Sequence, residues 1–184
     1  MGIGAIVLVL IAVYLIFSYN SLVSLRNRVE ESWSSIDVQL KRRYELIPNL
    51  VNTVKGYAAH ESGTLEKVIQ ARNAAMSASA SKDVGAQVQA EQGLAGALKT
   101  VFALSESYPD LKANTNFLEL QRSLSEIEET VANARRYYNA IVRDNNTKVE
   151  SFPTNIIAQS FNFNKAEYFE LDSADERTAP KVNF

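Results

Sequence analysis

The chain has 184 residues, a formal net charge of −2 and no cysteine. Without cysteine, disulfides, thiolate zinc sites, iron–sulfur clusters and cysteine nucleophiles are excluded. The small net charge gives no basic field of the kind that binds nucleic acid, so we expect no nucleic-acid partner. Seven glycines and four prolines favour long helices over a sheet with many turns.

Residues 1–19 are apolar and carry no charge. A helix of about 20 apolar residues crosses a bilayer and satisfies its own backbone hydrogen bonds there. A cleaved signal peptide fits less well, because no basic residue precedes the run and Phe17-Ser18-Tyr19 is a poor cleavage site. A lipoprotein anchor needs a cysteine, and a core helix apolar on every face is unusual in a small domain. We therefore predict a transmembrane anchor over 1–19, with the lipid bilayer as its first partner.

The first basic residues, Arg26 and Arg28, lie after the anchor and are followed by the group Lys41, Arg42 and Arg43. Under the positive-inside rule this side of the membrane is the cytoplasm. The expected location is the bacterial cell membrane, crossed once, with the remainder of the chain in the cytoplasm. The basic group itself is either a plain helix face or a contact to anionic headgroups, and its distance from the anchor favours the helix face.

Apolar residues recur every three or four positions in four stretches, which predicts an all-α protein. The first stripe runs from Leu22 to Ala58 and is interrupted by Pro48, which removes one backbone donor. Further helices are predicted over 65–75, with Thr64 as N-cap, and over 84–105, with Glu91 within its apolar stripe. The small residues of 74–82 are expected to form a fraying end and a loop.

The last long helix is predicted to start at a capping box of Asn116 and Glu119 and to continue past Asn145. The predicted fold is an antiparallel up-and-down bundle of long helices over 20–160, with its first helix continuous with the anchor. The remaining residues, 161–184, are an aromatic and then polar tail. We expect that tail to be disordered from Leu171 onward.

Few residues point to catalysis. His60 is the only histidine, so neither a His-Glu-x-x-His zinc site nor a ferritin-like di-iron site can form. There is no Gly-x-Ser-x-Gly motif and no phosphate-binding glycine loop. We expect His60 to lie at the surface or to cap a helix, and we predict no enzyme activity, no cofactor and no metal site.

Charged and aromatic residues near the end of the chain form a candidate interaction surface. Its members are Glu126, Glu128, Glu129, Arg135, Arg136, Phe161 and Phe163. The acidic residues are either a solvated helix face with local pairing or a docking patch for a basic partner. Asn139, Asn145 and Asn146 fix helix register and partner choice or mark a hydrogen-bonded end of the bundle.

Several longer motifs resemble those of the LemA family of bacterial membrane proteins. They are Val29-Glu-Glu-Ser-Trp33, Asp37-Val-Gln-Leu-Lys-Arg-Arg-Tyr-Glu-Leu-Ile-Pro-Asn-Leu-Val51, Ala71-Arg-Asn73, Tyr108-Pro-Asp-Leu-Lys112, Ala134-Arg-Arg-Tyr-Tyr-Asn139 and Ser151-Phe-Pro153. The resemblance covers about 19–169 and implies one N-terminal membrane helix followed by a helical bundle. It implies no enzyme activity or cofactor and, by analogy with a magnetosome relative, suggests a role in membrane shaping or organelle assembly.

Three functions remain open at this point. The first is a self-associating membrane scaffold, which predicts a homo-oligomer. The second is an adaptor or regulator that binds another membrane-associated protein. The third and least favoured is a hydrolase with a metal held by carboxylates, for which no convergent set of residues is visible.

Overall fold

The computed structural model describes residues 2–170, in which all regular structure is helical. The elements in chain order are α1 (Gly2–Tyr57), a 3₁₀ turn (Ala59–Glu61), α2 (Ser62–Ser81), α3 (Val84–Ser105), α4 (Pro109–Lys112), α5 (Thr115–Glu150) and α6 (Thr154–Ser160). The all-α prediction is confirmed. The predicted anchor and the first bundle helix form one element, since α1 runs through 56 residues and continues past Pro48.

Helix α5 packs antiparallel against α1 along most of its length. Three side-chain pairs fix the register: Trp33 with Tyr138, Arg43 with Glu128, and Tyr57 with Asn114. From one pair to the next, the number of residues along α1 equals the number of residues back along α5, so the register of the two helices stays constant. A position on α5 can therefore be assigned a height along α1, measured from the anchor.

Helices α2 and α3 form a hairpin that covers only the half of the bundle far from the anchor. Asp37 accepts a hydrogen bond of 2.6 Å from Ser79 near the end of α2, so the hairpin comes down to about the height of Asp37. At its other end, Phe102 of α3 packs edge-on against Phe117 of α5, with ring centres 6.2 Å apart. In this half the bundle has four helices in up-and-down order around a core that includes Leu40, Ile47, Leu94 and Val131.

Below the hairpin, the chain after α6 takes the place of the missing helices. Residues 163–170 run without regular structure along α1 and α5, and Phe169 reaches the core, where it is fully buried. Its ring lies 5.5 Å from Trp33. The aromatic part of the predicted tail is thus folded onto the bundle, whereas the expectation of disorder from Leu171 onward falls outside the described residues.

Two local predictions about α2 are wrong. The small residues of 74–82 are mostly helical, because α2 continues to Ser81 and Lys82 ends it in the left-handed conformation, with φ 57°. Alanine has the highest helix propensity, and burial of Ala75 holds this stretch against the bundle. Helix α2 begins at Ser62, so Thr64 is not its N-cap.

The start of α5 is also shifted from the predicted capping box. Its N-cap is Asn114, whose side chain accepts a hydrogen bond of 2.9 Å from the backbone N–H of Phe117. Asn116 lies within the first turn, and the cap therefore comes two residues earlier. His60 lies exposed in the 3₁₀ turn, which agrees with the prediction of a surface residue.

Candidate interaction sites

The apolar end of α1 is left uncovered by the described chain. Its most apolar 18-residue window has a mean hydropathy of 2.5 and is 6% buried, and this helix is long and apolar enough to cross a membrane. A core helix of a soluble protein would be mostly covered, which this window is not. Exposure of such a surface needs lipid or other apolar helices to cover it.

A buried charge cluster crosses the middle of the bundle. Arg43 on α1 contacts Glu91 on α3, and it donates a hydrogen bond of 2.6 Å to Glu128 on α5. The side chains of Arg43 and Glu91 are 4% and 2% exposed, whereas that of Glu128 is 53% exposed. Arg43 is therefore a core residue and does not belong to the basic surface group with Lys41 and Arg42, contrary to the prediction.

Two neutral side chains complete this cluster. The hydroxyl of Tyr44 donates a hydrogen bond to Glu91, and Gln87 donates one of 3.4 Å to the same hydroxyl. Burial raises the pKa of Tyr44 to about 12, so the phenol keeps its proton and remains a donor at neutral pH. The cluster ties three helices together through groups that cannot be left unpaired without cost.

The sequence carried a signal for this cluster. Glu91 lies within the apolar stripe of α3, and Arg43 lies between the buried positions Leu40 and Ile47 of α1. A charged residue at a stripe position is rarely buried unless it is paired. Two such residues of opposite sign on different helices predict a buried ion pair, although sequence alone does not show which residues meet.

Arg72 on α2 satisfies a carbonyl that Pro48 leaves without its helical partner. In an α-helix the N–H of residue 48 would bond to the carbonyl of Tyr44, and proline has no N–H. The Nε of Arg72 donates a hydrogen bond of 2.7 Å to the Tyr44 carbonyl oxygen instead. Pro48 thus frees the carbonyl to which Arg72 binds, and this hydrogen bond attaches α2 to α1 at this height.

Two asparagines of α5 hold the chain after α6 by paired hydrogen bonds. Asn146 donates to the carbonyl of Ala166 at 2.9 Å and accepts from its N–H at 2.8 Å. Asn139 binds Phe169 in the same two-way manner, at 3.1 and 2.9 Å. These side chains give the backbone groups of Ala166 and Phe169 the hydrogen-bond partners that a neighbouring strand would otherwise supply. Of the predicted alternatives, the hydrogen-bonded end of the bundle is the one observed.

The charged residues of the predicted interaction surface are placed in different surroundings. Glu126 and Glu129 are exposed on α5, and Glu126 lies only 4.0 Å from Arg122. Arg136 is exposed and contacts Asn133 nearby, whereas Arg135 is half-buried. Glu128 already forms an ion pair with Arg43. The acidic face that remains available therefore consists of Glu126 and Glu129.

The two aromatic residues of the predicted surface behave differently from one another. Phe161 is 60% exposed, and one edge of its ring packs on Tyr19, with ring centres 4.9 Å apart. Phe163 is buried between Tyr19 and Arg26 and shares a small core with Leu22. Phe161 remains available to a partner, and Phe163 offers little surface.

Other features do not bring catalytic groups together. Among residues 2–170, no group of three or more histidine, aspartate or glutamate side chains lies close enough to hold a metal ion. A groove of about 430 Å³ between α3 and α5 has Arg43 at its floor and apolar walls that include Leu98, Phe102 and Leu124. Its charged lining residues are Arg43, Glu128 and Lys99.

Comparison with known proteins places these features in a family context. The model of the LemA family matches residues 32–184. Protein LemA of Metamycoplasma hominis is 28% identical over 168 residues, which cover 89% of this chain and 75% of the relative. Magnetosome protein MamQ 2 of Paramagnetospirillum magneticum is 24% identical over 185 residues, which cover 88% of this chain and 68% of the relative. Magnetosome protein MamQ of Magnetospirillum gryphiswaldense is 22% identical over 199 residues, which cover 96% of this chain and 73% of the relative.

Proposed function

Since the chain belongs to the LemA family, we propose that it is a non-enzymatic, single-pass protein of the bacterial cell membrane whose helical bundle acts as a self-associating scaffold in membrane organisation. Its relatives include proteins named for the magnetosome, which supports a role at a membrane. The observation that carries the proposal is α1, a single helix with an uncovered apolar end and a bundle built onto its other end.

Continuity of α1 favours lateral assembly. When two anchors pack in the bilayer, the rigid helix fixes the position of the attached bundles as well, so contacts in lipid and in water reinforce one another. This is the effective-concentration effect of two linked binding events. Helix association in lipid needs close packing and not hydrophobic burial, because lipid tails are themselves apolar.

The bundle is placed on the cytoplasmic side in this proposal. Arg26 and Arg28 follow the apolar segment within α1, and no basic residue lies within it. Lys148 and Lys165 lie at the lower end of the bundle on the same side of the anchor, and Lys165 pairs with Glu150. Under the positive-inside rule, the part of the chain that carries these basic residues is expected to stay on the cytoplasmic side.

A non-enzymatic role is supported by the chemistry of the described residues. The buried charges at Arg43 and Glu91 are paired with each other and serve packing, and His60 is isolated at the surface. The family and its named relatives carry no enzyme name. Within residues 2–170, the acidic side chains form no group that could hold a metal ion.

Crosslinking in intact membranes, followed by mass spectrometry of the products, tests the scaffold. The expected result is a ladder of self-crosslinked species that persists when the protein is expressed near its native level. Because the chain has no cysteine, single cysteines at exposed positions of the apolar segment, such as Leu8, can then map the contact by disulfide formation. A monomer under all these conditions would refute self-association.

A second candidate, an adaptor for a different protein, is favoured by the position of the acidic face. Copies anchored in one bilayer stand at equal heights, so side-by-side contact through α5 would bring Glu126 and Glu129 of one copy toward those of the next. Like charges in such a contact are unfavourable. A basic partner of another kind suits this face better.

The adaptor is tested by charge reversal at two exposed positions. In Glu126→Lys/Glu129→Lys, recovery of a heterologous crosslinked partner should be lost, whereas the matched control Glu66→Lys on α2 should leave it unchanged. A dominant single partner with this behaviour would replace the scaffold as the primary function. If no crosslinked product of either kind forms, both candidates fail.

A further inference from the structure

The α5–α6 turn reaches back along α1 to the height of the apolar segment. Thr154, the first residue of α6, lies 3.2 Å from the hydroxyl of Tyr14, measured between Oγ1 and Oη. Tyr14 precedes Phe17 by about one helical turn, and Phe17 is 71% exposed. If lipid covers Phe17, the turn that contacts Tyr14 stands about 4.5 Å deeper than Phe17.

The residues around this turn carry no charge and expose two large apolar side chains. Residues 151–164 contain no charged side chain, and the flanking residues Glu150 and Lys165 form an ion pair of 2.9 Å. Phe152 is 81% exposed and Ile156 is 57% exposed. These exposed apolar side chains add to the apolar surface that the neighbouring part of α1 leaves uncovered.

One side of α6 is buried against α1, and the other side is exposed. Ile157 and Ala158 pack into the small core with Leu22, so the helix is fixed against α1. Its other side carries Ile156, and Phe161 lies just past its end beside Tyr19. Amphipathic helices that lie at a membrane surface bury their apolar residues about 5–10 Å into the boundary between headgroups and acyl chains.

We propose that the tip formed by residues 151–156 inserts into the same bilayer that α1 crosses, with Phe152 and Ile156 in contact with lipid. The occupant is lipid because the tip is held beside the apolar segment at a height where Phe17 already needs a lipid cover. The inference rests on the membrane-spanning placement of α1 and is independent of self-association. The protein would then contact the membrane at two places, a spanning helix and an inserted turn.

The absence of native cysteine allows a direct test by spin labelling. Single cysteines replace Phe152 and Ile156, with Leu118, exposed at the far end of the bundle, as the water reference and Ile11 as the lipid reference. The full chain is reconstituted in phosphatidylcholine vesicles at about one copy per vesicle. Collisions of each label with oxygen, which concentrates in lipid, and with an aqueous nickel chelate are measured by power saturation.

The ratio of oxygen to nickel collisions at Phe152 and Ile156 is expected to be several-fold higher than at Leu118 and to approach the ratio at Ile11. A ratio equal to that of Leu118 would overturn the proposal. Low collision rates with both reagents would show a protein cover and would also overturn it. If Ile11 itself is accessible to the nickel chelate, the anchor has failed, which distinguishes that failure from failure of the tip.

A second measurement keeps Phe152 in place, because an apolar label could itself seek lipid. A label at Ser151, an exposed polar position, should report lipid contact in the otherwise unchanged chain. In Phe152→Asp/Ile156→Asp the same label should move toward the value of Leu118. An unchanged, water-like label at Ser151 in both chains would overturn the proposal.

Discussion

Removal of the Arg43 side chain charge is the sharpest test of the buried cluster. In Arg43→Met, Glu91 keeps only the hydrogen bond from Tyr44 and loses its cation in a site where its side chain is 2% exposed. Breaking one partner out of a buried ion pair costs about 3–5 kcal/mol. The same cost is not expected for Glu128→Gln, because that carboxylate is 53% exposed and such pairs contribute about 0–1 kcal/mol.

The cost should depend on pH in a direction that a packing defect would not show. Without Arg43, the buried Glu91 carboxylate is expected to take up a proton in the folded state, while the unfolded chain holds that proton only below about pH 4.3. The folded state then binds more protons, so the free energy of unfolding of Arg43→Met should rise as the pH falls from 7 to 5.

Urea unfolding of the full chain in lipid nanodiscs measures these differences. Trp33 is the only tryptophan and packs against Tyr138 and Phe169, so its fluorescence reports on the bundle and not on the membrane segment. Arg42→Met, at an exposed neighbouring position, is the matched control and should change stability by less than about 0.5 kcal/mol.

Replacing both members of the buried pair separates charge from volume. Arg43→Met/Glu91→Met should recover most of the lost stability, since well-packed apolar residues often replace a buried ion pair without net cost. Equal effects of Arg43→Met and Arg42→Met would refute the reasoning. So would a double variant no more stable than Arg43→Met.

Three further outcomes follow from the other contacts. Arg72→Met should lower the free energy of unfolding by about 1–3 kcal/mol, and by less in a Pro48→Ala background, where the new N–H serves the Tyr44 carbonyl; an equal loss in both backgrounds would contradict that pairing. Asn146→Leu should speed amide hydrogen exchange within residues 163–170 while the exchange of α2 stays unchanged. Because an unfolded tyrosine ionises near pH 10 and burial raises the pKa of Tyr44 to about 12, stability should fall between those pH values, and Tyr44→Phe should reduce the fall in a urea titration series.

Periodicity was sufficient to predict the helices that bury a continuous apolar stripe. The continuity of α1, the limits of α3 and most of α5 follow from apolar residues spaced by three and four. The prediction failed for residues 74–82, where the composition indicates a loop and the packing against α1 holds a helix. The alanine and serine residues of 74–82 give no stripe, yet they are helical because α2 is fixed to α1 through Ser79 and Asp37.

The contacts between distant residues could not be predicted from spacing. Arg72 and Tyr44, and likewise Asn146 and Ala166, meet only because the whole chain has folded, and nothing local in the sequence links them. The same holds for the turn at Phe152. Its apolar character is visible in the sequence, whereas its position beside Tyr14 depends on the register of α5 on α1.

That register also gives the molecule a tapered outline. Above the apolar segment, residues 20–36 of α1 rise about 25 Å with α5 and residues 163–170 beside them, and residues 37–57, surrounded by α2, α3 and α5, add about 30 Å of a wider head. In the proposed membrane placement, one spanning helix about 10 Å across lies below, with the inserted tip at its side. Because the head is wider than one helix, copies whose anchors pack side by side must lean apart until their heads just touch, and such a wedge favours a membrane that is convex on the side of the heads.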